Sequence, residues 1–212
     1  TIQMVERVIP QAQVADYSET IYGIFDTFLS YGITSQQTAE GHKVPIEALK
    51  QLEDNNRLKE RVFVSWDWKT TLNLAYSLDD IENQIKTREK YASDFIYPNY
   101  VKIFADGGPF SGTSLLLQPY EKEFAGEEGF YGGANMTAEE FADAFKMFDN
   151  WGVGVHVHAM GDGTIRLVID ALEAMKKVNG DSGVHHKVAH NTMLSVEDIP
   201  RSAALNDVNI DF

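Results

Sequence analysis

The sequence predicts an α/β protein with parallel strands joined by helices, either as a doubly wound sheet or as part of a (β/α)8 barrel. Helical and strand patterns alternate about five times along the chain, which is typical of parallel strands with helical crossovers. Most of the connections are short. The 212 residues are 43% hydrophobic and can bury a substantial core. Since no repeat or linker divides the chain, we predict one unit over residues 1–212.

Helices are predicted where apolar residues recur at i, i+3, i+4 and i+7, and strands where apolar and polar residues alternate. Residues 61–68 are also enriched in Val and aromatic residues, as strands are. Gly32 marks the end of the first helix, because glycine is typical of helix C-termini. The predicted elements are, in order, helix 16–31, strand 32–38, helix 45–55, strand 61–68, helix 78–91 and strand 100–106.

A long glycine-rich stretch at 107–135 precedes the second half of the chain. A connection of this length in a compact protein is usually functional, unless it contains an unrecognised element. Beyond it, Thr137 and Glu140 form a T-x-x-E capping box, and Asp162 is predicted as the N-cap of a later helix. The predicted elements are helix 137–151, strand 153–159, helix 162–179, strand 185–190, a short helix starting near Ser195 and strand 207–212.

The composition excludes several classes of function. A net charge of −14 argues against a nucleic-acid partner, which selects for basic patches. No apolar run approaches the roughly 20 residues that span a bilayer, and the N-terminus lacks a signal-peptide pattern, so we expect no membrane partner and a cytoplasmic location. The chain contains no cysteine, so a metal would need His, Asp, Glu or a modified Lys as ligands.

Ionisable residues occupy one face of each of three predicted strands, because side chains two residues apart share a face. These residues are Lys102 and Asp106, His156 and His158, and His186 and His190. In a barrel, catalytic residues concentrate at the carboxyl ends of the strands, where Asp106, His158 and His190 lie. A single strand histidine is more often a hydrogen-bonded core residue than a ligand, and their convergence favours a site.

Two of the charged residues have alternative explanations. Lys102 lies on an otherwise apolar strand, and a buried lysine requires a carboxylate partner, a lowered pKa or a chemical modification. Asp162 either caps its helix or contacts a bound substrate, and the sequence leaves both open. Gly107 and Gly108 are interpreted as turn residues.

Several motifs together resemble the YtcJ-like branch of the amidohydrolase superfamily. The motifs cover nearly the whole chain and are persuasive mainly in their order, with H-A-x-G-D the most specific. They are YGITSQQTAEG at 31–41, VKIFADG at 101–107, GVGVHVHAMGDGTIRLVIDALE at 152–173 and HKVAHNTMLS at 186–195.

The resemblance implies about strands 2 to 7 of a (β/α)8 barrel with a divalent metal centre that activates water to hydrolyse amide-like C–N bonds other than peptide bonds. By position, Lys102, His158 and His190 are the implied metal ligands, with Lys102 carboxylated to bridge two ions. We expect one or two ions, zinc by preference, and a small-molecule amide-like substrate. Lys102, Asp106 and Asp162 are the residues predicted to be catalytic.

The family's His-x-His pair on the first strand and its aspartate on the eighth are not among these residues. We therefore expect an internal fragment, truncated at both ends, that is inactive alone and self-associates through exposed sheet edges. The alternative is a non-catalytic α/β binding module in which the helix N-terminus at Gly161–Gly163 holds an anion. Asp162 weakens that alternative, because its carboxylate competes with the anion.

Overall fold

The structure is a computed structural model that describes residues 8–10, 12–39, 41–68 and 77–211. Its contacts group the chain into two compact units, Thr1–Lys102 and Ile103–Phe212. The boundary falls inside a β-strand, and the single unit predicted over 1–212 stays a prediction. Two predicted features fall partly outside the described residues, namely Glu40 in the YGITSQQTAEG motif and Phe212 in the last strand.

The first unit alternates helix and strand, as predicted. Gly32, with a φ of 81°, follows the first helix and allows the chain to turn into the first strand. A capping box between Ser77 and Asp80 starts the third helix. The elements are α1 Val14–Ser30, β1 Ser35–Gln37, α2 Lys43–Asp54, β2 Arg61–Asp67, α3 Leu78–Lys86 and β3 Ile96–Phe104, with a short 3-10 helix at Arg88–Tyr91.

The second unit begins with the end of β3 and continues the alternation after the long connection. The predicted capping box between Thr137 and Glu140 is present at the start of its longer amphipathic helix. The remaining elements are α4 Lys122–Ala125, α5 Ala138–Asn150, β4 Gly154–Ala159, α6 Asp162–Asn179, β5 His186–His190, α7 Ile199–Ala204 and β6 Val208–Ile210, with 3-10 helices at Pro109–Ser111 and Val196–Asp198.

The strand pairs β1–β2, β2–β3, β4–β5 and β5–β6 are parallel, and the strand order β1-β2-β3-β4-β5-β6 follows the chain. Parallel neighbours joined by helices confirm the predicted α/β class. In the second unit, the buried strand residues Val155 and Val157 and the apolar stripe of α6 form the core, with Phe141, Phe145 and Phe148 of α5. Among the described residues, no helix is both long and apolar enough to cross a membrane.

The largest differences from the sequence prediction concern the start of β3, the end of α3 and the long connection. Strand β3 begins at Ile96 rather than Tyr100. The sequence prediction started it too late because Pro98 and the exposed Asn99 interrupt the apolar alternation, although they do not end the strand. The helix predicted to reach Tyr91 ends at Lys86 and gives way to a 3-10 helix. The 107–135 connection contains a 3-10 helix and the single turn α4, so part of it is regular.

A buried polar network lies at the amino end of β5. The Nε2 atom of His186 is 3.3 Å from Asp149 Oδ1, and its Nδ1 accepts a hydrogen bond from the Val155 backbone N–H at 3.2 Å. Ser182 Oγ and Asn179 Nδ2 donate to the same Asp149 carboxylate. His186 is 1% exposed. It is therefore a hydrogen-bonded core histidine at the amino end of β5, and not a ligand at the carboxyl end.

We predict that His186 makes the stability of the protein fall in mild acid. Burial lowers the pKa of His186 below its ordinary value of 6.5, although Asp149 opposes this shift. The unfolded chain therefore takes up a proton first, so this contribution to stability is present above pH 6.5 and lost as the pH falls through the folded-state pKa. Urea unfolding of the native protein between pH 7.5 and 5.5 measures the loss.

A His186→Asn variant should show a flatter pH dependence over that range, because Asn keeps an acceptor for Val155 but does not titrate. Lys176 and Asp207 also influence His186 electrostatically and are unchanged in both proteins. His185→Asn, at the exposed neighbouring residue, is the control and should follow the native curve. Equal slopes for native and His186→Asn would contradict the prediction.

Candidate functional site

Two histidines meet at the carboxyl ends of β4 and β5. His158 is the penultimate residue of β4, and His190 is the last residue of β5. Their ring centroids are 4.6 Å apart, and the rings meet edge to face at 66°. His190 is exposed, whereas His158 is only partly so. The structure thus brings together the two imidazoles that the sequence analysis assigned to one metal site.

A backbone contact defines the protonation of His158. Its Nε2 atom lies 2.9 Å from the carbonyl oxygen of Gly107. Because a carbonyl oxygen only accepts hydrogen bonds, Nε2 carries the proton and Nδ1 keeps a free lone pair in the neutral ring. The Phe104 ring packs against the imidazole at 5.2 Å. An imidazole with one nitrogen hydrogen-bonded to the backbone and the other deprotonated is the usual state of a metal-binding histidine.

Asp106 braces the turn that follows His158. Its side chain is fully buried and accepts hydrogen bonds from the backbone N–H groups of Met160 at 3.1 Å and Gly161 at 2.9 Å. Its Oδ1 atom is 3.5 Å from His158 Nε2. These contacts link the end of β3 to the turn between β4 and α6. In this arrangement Asp106 positions the end of the histidine strand.

Asp162 is not the N-cap of α6, and that prediction is wrong. Gly161 is the N-cap, and Asp162 is the first helical residue. The Asp162 Oδ1 atom accepts hydrogen bonds from the N–H groups of Gly163 and Leu117, both at 2.9 Å. The Asp162 carboxylate therefore binds a backbone N–H of the 107–135 connection as well as one of its own helix, a contact that the capping prediction did not include.

The same contacts argue against an anion at the N-terminus of α6. The N–H of Gly161 is taken by Asp106 and that of Gly163 by Asp162. The N–H of Thr164 donates to the carbonyl of Leu115 at 3.2 Å. An anion would have to displace two carboxylates from these donors, so the alternative of a binding module gains no support from the geometry.

The 107–135 connection is ordered by its own contacts. Tyr120 donates from its hydroxyl to the carbonyl of Ser114 at 2.9 Å, and its ring lies 5.6 Å from both Phe124 and Phe130. Phe110, in contrast, is 86% exposed. Some of the aromatic residues therefore pack the connection, while Phe110 is available to an external ligand.

Lys102 belongs to the first unit and is 2% exposed near the end of β3. Asp67, at the end of β2, pairs with it in the strand register and is 3% exposed. Register partners on parallel strands point to the same face, so a buried carboxylate lies beside the buried lysine. Asp67 was not predicted as a site residue from the sequence. The available signal was an acidic residue in the apolar strand sequence RVFVSWDW.

The described residues contain no group of three or more His, Asp or Glu side chains arranged to hold a metal ion. His158 and His190 remain the predicted ligands whose rings the structure places in contact. The nearby Asp106 carboxylate is occupied by backbone donors.

Comparison with known proteins places the chain in a family. Residues 3–208 match the model of the Amidohydrolase family. The chain belongs to this family. Two crystal structures of uncharacterized metal-dependent hydrolases resemble it. One is from Pyrococcus furiosus, with a TM-score of 0.72 and 21% identity over 98% of this chain, and one from Pyrococcus horikoshii OT3, with a TM-score of 0.70 and 20% identity over 94%. The predicted partial (β/α)8 barrel is confirmed.

Curated proteins also resemble this chain. The exoenzymes regulatory protein AepA of Pectobacterium carotovorum is 26% identical over 92% of this chain, and the putative amidohydrolase YtcJ of Bacillus subtilis is 29% identical over 55%. The chain spans 40% of AepA, 21% of YtcJ and 40% of the Pyrococcus furiosus protein. The predicted resemblance to the YtcJ-like branch is confirmed.

Proposed function

We propose that this chain supplies part of the metal centre of a hydrolase that cleaves amide-like C–N bonds other than peptide bonds. His158 and His190 are two of the ligands, and Lys102 is a third. The observation that carries the proposal is the His158–His190 ring contact, together with the Nε2 hydrogen bond from His158 to Gly107. Family membership supports the hydrolytic reaction.

The chemistry of the donors fits a divalent ion. Imidazole nitrogens and carboxylate-type oxygens suit zinc, and a chain without cysteine has no thiolate to offer. The His158 tautomer leaves Nδ1 free, as a ligand requires. Carboxylation of Lys102 would replace its ammonium group with an anionic oxygen donor. The Asp67 carboxylate beside it would then face another anion, and a cation or a proton would be needed between them. Two histidines and Lys102 leave coordination positions open, which other parts of the intact protein would fill.

A bound ion would polarise the carbonyl of the substrate and activate a water molecule. The residues of this chain orient that chemistry. Gly107 fixes the ring of His158, and Asp106 holds the β4–α6 turn behind it. Asp162 fastens the 107–135 connection to α6. In this proposal Asp106 and Asp162 position other groups, whereas the sequence predicted both to be catalytic.

The substrate is a small amide-like molecule, and Phe110 contributes an apolar contact to it, since its ring is exposed. The isolated 212-residue chain is inactive in this proposal, because Lys102, His158 and His190 alone do not complete the metal centre. It self-associates through the strand edges at β1 and β6, which sedimentation at increasing concentration would detect.

The test is the zinc content of the intact protein. We expect the native protein to bind zinc with an affinity that equilibrium dialysis can measure, and His158→Ala and His190→Ala each to lose the ion. His185→Ala replaces an exposed histidine just before β5. It is the matched control and should bind zinc as the native protein does. Failure of the native protein to bind added zinc would refute the proposal. Retention of zinc by both variants would refute the ligand assignment.

A further inference from the structure

Asn191 joins the carboxyl ends of three neighbouring strands. It follows His190 directly and is 1% exposed. Its backbone N–H donates to the carbonyl of Ala159 in β4 at 3.0 Å. Its side-chain Nδ2 donates to the carbonyls of Val188 at 2.8 Å and Asp211 at 2.9 Å. One residue therefore connects β4, β5 and the residue that follows β6.

The strand register would keep the two site histidines apart. His158 pairs with Ala189, and Ala159 pairs with His190. Because paired residues on parallel strands share a face and alternate along the strand, an extended His190 would point to the face opposite His158. The ring contact at 4.6 Å shows that His190 departs from this alternation.

The departure coincides with an unusual backbone. His190 has a φ of 82° and Asn191 a φ of 39°, both in the left-handed region. Asparagine tolerates this conformation, but histidine adopts it rarely and at a cost. Such a conformation persists only where the surrounding contacts enforce it, and it is concentrated at functional sites. The three hydrogen bonds of Asn191 are contacts that can enforce it.

The orientation of the Asn191 amide is unambiguous. Both hydrogens of Nδ2 are donated to carbonyl oxygens, so the reversed amide would place an oxygen against two acceptors. As a result, Oδ1 is buried with no hydrogen-bond partner among the residues that the structure describes. A buried acceptor without a partner lowers stability. Asn191 therefore lowers the stability of the folded chain through its buried Oδ1 atom. Its role in orienting His190 is a reason for an asparagine at this position.

We propose that Asn191 is a positioning residue that locks the left-handed turn at the end of β5 and so brings His190 to His158. The metal-binding part of this inference rests on the proposed function. The geometric part, the approach of two imidazole rings, does not. Loss of the Asn191 side chain releases His190 toward the opposite face and separates the two rings.

The test uses the intact protein with labelled histidines and the variants Asn191→Ala and Asn191→Gly. In the metal-free protein, we expect the nuclear Overhauser effect between the His158 and His190 rings to be lost in Asn191→Ala and weakened in Asn191→Gly, because glycine allows the turn but does not enforce it. A Co²⁺ titration followed by visible absorption should show affinity reduced by roughly 10–100-fold in Asn191→Ala. Asn209→Ala, at an exposed asparagine of β6, should match the native protein in both measurements.

The outcomes separate the two proposals. An unchanged ring contact in Asn191→Ala would overturn the positioning role, whatever the metal does. Unfolding of both Asn191 variants would also overturn it, since the side chain would then support the whole unit. If the native protein binds no Co²⁺ but Asn191→Ala loses the ring contact, the proposed function fails and the positioning role stands.

Discussion

Replacing Asp106 with alanine is expected to lower the free energy of unfolding by about 4 kcal/mol. The buried carboxylate accepts the N–H groups of Met160 and Gly161, and its removal leaves both donors without an acceptor. Each buried donor left in that state costs roughly 1–3 kcal/mol. Denaturant unfolding followed by circular dichroism measures the change. Zinc affinity should fall as well, because the turn that follows His158 loses its brace.

Two variants calibrate this result. Asp106→Asn keeps the shape and one acceptor oxygen but presents an NH₂ group to the second donor, so we expect about half the loss. Asp143→Ala removes a largely exposed carboxylate from α5 and should leave the unfolding curve unchanged. If Asp106→Ala were as stable as the native protein, the Met160 and Gly161 donors would have found other acceptors, and the bracing role would be wrong.

Replacing Gly161 with alanine should cost about 3 kcal/mol for a purely steric reason. The φ of Gly161 is −77°, which suits any residue. A Cβ atom there, however, would overlap the carbonyl oxygen of Leu115 and lie 2.9 Å from Ser114 Cβ. The 107–135 connection would be pushed off α6, breaking the contacts of Leu115 with Thr164 and of Leu117 with Asp162.

The matched control lies in the same connection. Gly133 has nothing within 4 Å of an added Cβ, so Gly133→Ala should be neutral or slightly stabilising. Thermal unfolding reports the stability of both variants, and limited proteolysis reports release of the connection. We expect Gly161→Ala to be cut within 107–135 at protease concentrations that spare Gly133→Ala. Identical cleavage of the two variants would contradict the steric argument.

Local patterns in the sequence were sufficient for most of the fold. The capping box at Thr137 and Glu140, the apolar stripes of α5 and α6, and the apolar core of β4 are short-range features, since capping and periodicity depend on residues a few positions apart. The boundaries failed where a local rule was overridden. Strand β3 continues through Pro98, whose carbonyl accepts a hydrogen bond from Trp66 Nε1. A pairing between strands cannot be recognised from one of them.

The candidate site was predicted less completely, because its contacts join residues far apart in sequence. Motif order was enough to single out Lys102, His158 and His190. The backbone donors to Asp106, and Leu117 as one of the donors to Asp162, lie more than 40 residues away along the chain. No pattern around either aspartate identifies those partners, so a catalytic role and a bracing role were equally compatible with the sequence.

By itself, the sequence determined the class of fold, the family and the identity of the two imidazoles at neighbouring strand ends. Only the tertiary structure decided how those imidazoles meet. Alternation and register place His158 and His190 on opposite faces of the sheet, and the left-handed backbone at His190 reverses that outcome. The physical reason is that the hydrogen bonds of Asn191 that enforce this conformation include bonds to Ala159 and Asp211, which become its neighbours only when the chain folds.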